Sequence, residues 1–302
     1  MKFWSIKKDW STREHILRQQ KKELFSICFI CLGIIFLTTL RVLIGIIAMR
    51  LFLYIKTKPW KKNLKIIKKN MLNKEKHQLV MAQMLKDIYF DIVLASLLGF
   101  KGGTAAFMFY ELPRFSVDLD FDLLDDTSEN RALVFEKIKK IIFKYGEIKN
   151  EQQKFATIFF SLSYETGAHR IKVEINCRKT GASFEMKNYF GIPMLVSRKD
   201  SMFSAKLVAL MNRKDFAARD LFDLYFFLKN IWEVDQKVFL AYKIVSEKEY
   251  IEKCVSFIEA IPERTLLKDL GELVDEKQKD FVRTKIKKET IFLLKNRWNI
   301  QG

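Results

Sequence analysis

Lys101-Gly102-Gly103-Thr104-Ala105 and, further on, Arg114-Phe115-Ser116-Val117-Asp118-Leu119-Asp120-Phe121-Asp122 are the two halves of the stretch that decides the fold. In a strand, residues i and i+2 project to the same face. Asp118 and Asp120 therefore point the same way, and Leu119 and Phe121 line the opposite, apolar face. Paired carboxylates in this arrangement suit a hard divalent cation such as Mg²⁺, which takes oxygen ligands and shares them with substrate phosphates. The double glycine supplies the complement. It lets backbone approach phosphate closely and starts a helix whose first amides favour anions. Asp122 is a third acid on the same strand face, farther along.

Working outward, residues 74–98 carry Met81, Met84, Leu85, Ile88, Ile92 and Ala95 at helical spacing, which predicts a core-facing helix. A short helix is expected over 104–110, with Pro113 closing it, and the Asp-bearing strand over 115–123. Asp125-Asp126-Thr127-Ser128 reads as a capping loop for a helix over 129–145. Residues 157–164 and 170–177 read as a hairpin around Glu165-Thr166-Gly167-Ala168. Its second strand places Ile171, Val173 and Ile175 on one face, and Lys172, Glu174 and Asn176 on the other. A loop is expected around residues 191–193. Helices follow over 201–212 and 217–229, with further pieces over 236–298.

The string Lys-Gly-Gly-Thr-Ala…Leu-Pro-Arg-Phe-Ser-Val-Asp-Leu-Asp-Phe resembles the AbiEii family of toxins from bacterial toxin–antitoxin and abortive-infection systems. That family lies within the polymerase-beta-like nucleotidyltransferase superfamily. The resemblance runs from about residue 79 to 228. It implies an α+β fold, a nucleotidyltransferase-type mixed sheet with flanking helices followed by a C-terminal helical bundle. It also implies transfer of an NMP from an NTP, with GTP among the donors, to an acceptor hydroxyl on RNA, tRNA in relatives. A cognate antitoxin would be encoded alongside.

Carried onto this chain, the resemblance makes Asp118 and Asp120 the ligands of Mg²⁺ or Mn²⁺. It also places a carboxylate on the hairpin, which here is Glu174, as a proton acceptor or third ligand. Gly102, Gly103, Thr104 and Ser116 would meet phosphate. Arg114 would meet nucleotide or acceptor. Lys206 and Arg213, two helical turns apart, and the Arg219-Asp220-Leu221-Phe222-Asp223-Leu224 run look like the later motifs of the family. Lys206 would neutralise triphosphate as a point charge. Asp220 and Asp223 are neighbours on one helix, and an Arg–Asp clamp between helix and sheet is the equal alternative for Asp223. Small-molecule, antibiotic-type nucleotidyl transfer remains open beside RNA. A P-loop Gly-Lys-Ser/Thr motif is absent, and His15, His77 and His169 form no ligand pattern.

Composition adds a second, separate feature. The net charge of +18 suggests a polyanionic partner, but residues 1–70 hold sixteen Lys/Arg against three acids, +13 of that total. The remaining body, at +5, neither requires nor excludes RNA. Residues 24–40 carry no charge and hold eleven Leu, Ile or Phe. Together these favour membrane insertion by roughly 3–7 kcal/mol.

Residues 24–55, followed by seven lysines, therefore predict a tilted transmembrane helix with a cytoplasmic catalytic domain anchored to the inner membrane. The equal alternative is an upstream extension, with the working protein starting at Met71. Three segments are expected: the basic and apolar 1–70, a nucleotidyltransferase domain over 71–197 and a helical domain over 198–302. Cys28 and Cys31 lie inside the apolar run without a second ligand pair, which argues against zinc or redox chemistry. The isolated Cys177 and Cys254 suit a reducing compartment.

Overall fold

The computed structural model describes residues 49–50, 72–213 and 215–300. The chain divides into two compact units, Met1–Ile67 and Lys68–Gly302. The expected transmembrane span, the Cys28–Cys31 pair and the lysine cluster fall outside the described residues, apart from 49–50. Among the described residues no helix is long and apolar enough to cross a membrane.

Within the second unit, the sheet forms from β1 (Leu98–Lys101), β2 (Asp118–Leu123), β3 (Glu147–Lys154), β4 (Thr157–Ser163), β5 (Ile171–Asn176), β6 (Phe184–Tyr189) and β7 (Ile192–Ser197). Their order is β3-β4-β5-β2-β1-β7-β6. The pairs β2–β5 and β1–β7 are parallel and the rest antiparallel, so the sheet is mixed. Alternation in β2 and β5 sorts the side chains as their sequences dictate. Leu119, Phe121, Ile171, Val173 and Ile175 are fully buried, and Lys172 and Glu174 are exposed.

Two helices cover the apolar face, α1 (Lys74–Phe90) and α4 (Ser128–Phe143). Tyr89 of α1 packs against Phe121, and its hydroxyl donates to the carbonyls of Leu98 and Leu195, bolting the helix across β1 and β7. Phe135 of α4 packs on Phe160 of β4 at 5.0 Å between ring centres. Thr127 caps α4 by accepting from the Asn130 amide. The single helix expected over 74–98 is broken. Asp91 accepts from the amides of Val93 and Leu94 and starts a new short helix, α2 (Ile92–Leu97), which leaves Ile92 exposed.

Sequence periodicity also passed over four strands. β1 is a four-residue segment between α2 and the glycines. β3 is almost wholly polar, an edge strand whose charge protects it from pairing with other chains. β6 and β7 form a hairpin where a loop was expected; its turn residues Phe190 and Gly191 both have positive φ, at 49° and 83°.

α3 (Gly102–Phe109) packs on β1, β2 and β6, and the chain continues after the sheet as α5 (Lys199–Asn212), α6 (Ala218–Lys229), α7 (Gln236–Ala241), α8 (Glu247–Ala260), α9 (Glu276–Thr284) and α10 (Ile286–Arg297). α5 packs on α6, α7 and α8, and α10 packs on α6, α8 and α9. The Phe115 amide donates to the Leu273 carbonyl at 2.8 Å, which ties the segment leading into β2 to the helical region. Cys177 and Cys254 are buried free thiols.

Candidate active site

A cleft of about 640 Å³ opens over the polar face of β2 and β5, in the range of small-molecule sites. The register places Asp118 opposite Lys172, Asp120 opposite Glu174 and Asp122 opposite Asn176. Asp118, Asp120 and Glu174 all line the cleft. Burial first, then the charges of Asp118 and Glu174, push the Asp120 carboxyl up to about 6 against the opposing pull of Lys101 and Lys206. Glu174 makes no hydrogen bond or ion pair among the described residues, so pairing with Lys172 does not occupy it.

Asp122 belongs to a different arrangement. Its carboxylate pairs with Lys101 and accepts from Asn176 Nδ2 at 2.7 Å and Thr180 Oγ1 at 3.0 Å. Fully engaged and buried, it fastens the segment after β5 to the sheet.

The glycines sit where expected, at the start of α3. No side chain caps this helix, so its first amides are left for an anion. Gly102 has φ +80°, and a Cβ there would run into the Asp120 carboxylate. Gly102→Ala is expected to lose about 1–3 kcal/mol of stability from backbone strain and to push Asp120 off its position. Urea unfolding beside transfer rates checks this; an alanine variant of full stability and full rate contradicts it. A Cβ on Gly103 would overlap the Arg114 guanidinium.

Thr104 is fully buried and donates to Ser116 Oγ at 2.9 Å and to the Asp118 carbonyl. It thus joins α3 to β2 and does not line the cleft, whereas Ser116 does.

Beneath the cleft lies a network of charges. Arg114, 3% exposed, makes a two-pronged pair with the fully buried Asp223, Nε to Oδ1 at 2.5 Å and Nη2 to Oδ2 at 2.7 Å. Lys206 Nζ lies 2.7 Å from Asp220 Oδ1 and 2.8 Å from Asp223 Oδ2. Burial alone would push Asp223 up, but Arg114 and Lys206 outweigh it and hold the carboxyl below its usual range. Burial likewise works against the Lys206 charge, and Asp220 and Asp223 outweigh it and raise the amine.

Arg213 Nε comes within 2.9 Å of Asp220 Oδ2 without aiming a hydrogen at it, and that oxygen has no hydrogen bond among the described residues. Arg219 Nη1 stands 3.7 Å from Asp118 Oδ2. Lys206, Arg114, Arg213 and Arg219 line the cleft; Asp220 and Asp223 lie behind it.

His77, outside any ligand pattern, is fully buried. One ring nitrogen meets Tyr164 Oη at 2.9 Å and the other the Val117 carbonyl at 3.0 Å, which pins the approach to β2. Burial lowers its pKa.

Lys101, Arg178 and Thr180 also line the cleft, and sequence reasoning did not single them out. Lys101 had a signal, its place directly before the glycines on the strand beside Asp120.

The donor set suits a hard cation. Two crowded carboxylates share a face with a third, and a cation relieves the repulsion that adds to burial in raising Asp120. Among the described residues no three His, Cys, Asp or Glu side chains converge tightly enough to hold a metal by themselves.

The family model described as "Nucleotidyl transferase AbiEii toxin, Type IV TA system" matches residues 83–295. No match is found among curated proteins. Two solved structures from Helicobacter pylori are similar. A chain described as a candidate nucleotidyltransferase is 18% identical with a TM-score of 0.47, covering 75% of this chain and 97% of its own. JHP933 is 19% identical with a TM-score of 0.45, covering 75% and 95%.

Proposed function

Because the chain belongs to the AbiEii nucleotidyl transferase toxin family of type IV toxin–antitoxin systems, and is a nucleotidyltransferase by that membership, we propose that it moves an NMP from an NTP to a hydroxyl of RNA. The observation that carries this reading is the face shared by Asp118, Asp120 and Glu174, set against the uncapped start of α3 in a single cleft. Membership implies a nucleotide substrate and a cognate antitoxin.

In this reading Asp118 and Asp120 hold Mg²⁺, which when bound supplies charge stabilisation at the α-phosphate. The Gly102 and Gly103 amides receive phosphate oxygens. Arg219, only loosely engaged with Asp118, and Arg213, poorly aimed at Asp220, are cations near enough to turn toward the triphosphate. Lys206 serves differently from a free point charge. Clamped by two buried carboxylates, it contributes fixed positive potential beneath Asp120. Glu174, without a partner of its own, accepts the proton of the attacking hydroxyl. The bond from that oxygen to the α-phosphorus forms as pyrophosphate leaves.

The exposed Lys172 and Arg178 at the cleft favour a polyanionic acceptor over a neutral small molecule. The test is incubation of the protein with Mg²⁺, each labelled NTP in turn, and total RNA. Label is expected in RNA, with Asp118→Ala incorporating less than about one hundredth of the wild-type amount. Label recovered only in small molecules would remove RNA as acceptor, and label incorporated by Asp118→Ala at the wild-type rate would remove the site.

A further inference from the structure

The lining of the cleft includes an apolar set, Met202, Ala205, Val208, Ala209, Val238 and the Tyr242 ring, that phosphate chemistry does not use. Along β2, Asp118, Asp120 and Asp122 succeed one another at about 6.6 Å. Asp118 marks the end that holds Arg219 and, through Thr104 and Ser116, the start of α3. Asp122 marks the other end, where it fixes Thr180.

From there a chain of contacts runs to one aromatic ring. Next to Thr180, Gly181 has φ +71° and approaches so closely that a Cβ would meet the Lys237 carbonyl and Ala241 of α7. Tyr242 follows Ala241 directly and caps the C-terminus of α7. It is 38% exposed and lines the cleft. Ala205 and Ala209 of α5 line the same space, one helical turn apart and small enough to leave it open, with Val208 and Val238 behind. α7 packs on α5, so ring and alanines belong to one wall system.

A half-exposed tyrosine beside an open, small-residue helix face is an arrangement into which a flat aromatic ligand fits. Triphosphate needs none of it. We infer that Tyr242, with Ala205 and Ala209, forms the seat of the NTP's nucleobase, the base stacking on the tyrosine ring while its phosphates lie toward Gly102, Gly103 and Asp120. This inference rests on the proposed nucleotide chemistry and adds the part of the donor that the carboxylates leave unspecified. Because every base presents a π-face, the stack secures nucleotide binding without choosing strongly among bases.

Calorimetry of full-length protein with Mg²⁺ and without acceptor separates the two ends of the cleft. Each of the four NTPs is titrated, and inorganic tripolyphosphate serves as the probe that lacks a base. Tyr242→Ala is expected to weaken NTP binding by about fivefold or more and to leave tripolyphosphate binding unchanged. Tyr242→Phe should bind both as wild type does. Ala205→Trp, at an exposed helix position, should exclude the base and again spare tripolyphosphate.

The inference is overturned by a Tyr242→Ala protein that binds NTPs like wild type, or by one that loses tripolyphosphate equally. It is also overturned if the variant alters only the KM for the acceptor. A wild-type protein that binds no NTP would end both this inference and the proposed transfer. One that labels RNA normally while Tyr242→Ala matches it would end the stacking inference alone.

Discussion

Asp120→Asn is expected to slow nucleotide transfer on the order of 10³-fold and, without metal at neutral pH, to make the protein more stable than wild type. Both effects have one cause. Burial, and the charges of Asp118 beside it and Glu174 opposite it, raise the Asp120 carboxyl to about 6. A group raised in the folded state destabilises that state once ionised. Metal-free wild-type protein should therefore lose stability as pH climbs from the ordinary carboxylate range toward 6, and level off above it.

Asparagine keeps the shape and removes the charge, so that pH-dependent loss should shrink in the variant. Binding of Mg²⁺ requires the ionised form. Metal-dependent stabilisation of wild type should accordingly grow with pH through about 6, and the variant should gain little from metal. Thermal melts at pH 5 and pH 8, with and without Mg²⁺, beside initial rates of label incorporation, measure all of this. A variant less stable than wild type at pH 8 without metal would show that burial and crowding of the Asp120 charge do not destabilise the fold.

Asp223→Ala should act in the opposite direction and lower stability by about 3–5 kcal/mol. Asp223 is fully buried and neutralises two cations at once, Arg114 and Lys206. Removing it leaves the Arg114 guanidinium enclosed at 2% side-chain exposure with only the more distant Asp220 and Asp120 as counter-charges. Against a usual domain stability of about 5–15 kcal/mol, such a loss is a fifth or more of the total. Urea unfolding should show a lower midpoint at unchanged slope. Arg114→Ala should cost a comparable amount. The double variant should be less damaged than the sum, because its two halves remove the same interaction. Strict additivity would deny the pair its structural part.

The site residues show which parts of their arrangement are local in the sequence and which are not. Asp118 and Asp120 were legible because strand alternation is local: the same period that buries Leu119 and Phe121 presents the carboxylates. Glu174 was placed on the correct face by the alternation of Ile171, Val173 and Ile175, but its position opposite Asp120 depends on the β2–β5 register, a long-range fact. Thr104 and Asp122 stand in motif-like positions, yet they spend their hydrogen bonds inside the protein. Whether a polar group in a motif is open or engaged depends on neighbours brought from elsewhere in the chain.

The missed strands have local causes. β3 offers only Ile148 as an apolar residue, so no alternation marks it. In β7, Pro193 suggested a loop. It sits near the start of the strand, away from Val196, where the pairing with β1 is registered, and so spoils no central ladder bond. The break at Asp91 is hidden because the apolar spacing continues across it, while the aspartate side chain caps a new helix.

The Arg114–Asp223 pair joins residues 109 positions apart, and this has a consequence for biosynthesis. At about 5–20 residues per second, a ribosome reaches Asp223 roughly 5–20 s after it has made Asp120. Until then the arginine that underlies Gly103 has no partner, and the cleft has no helical wall. A nascent or prematurely released chain therefore carries the whole Gly-Gly and Asp-x-Asp signature without a working centre. For a protein from a family of toxins, activity cannot begin before α6 has been made, and fragments that stop before α6 should be harmless to the cell that makes them.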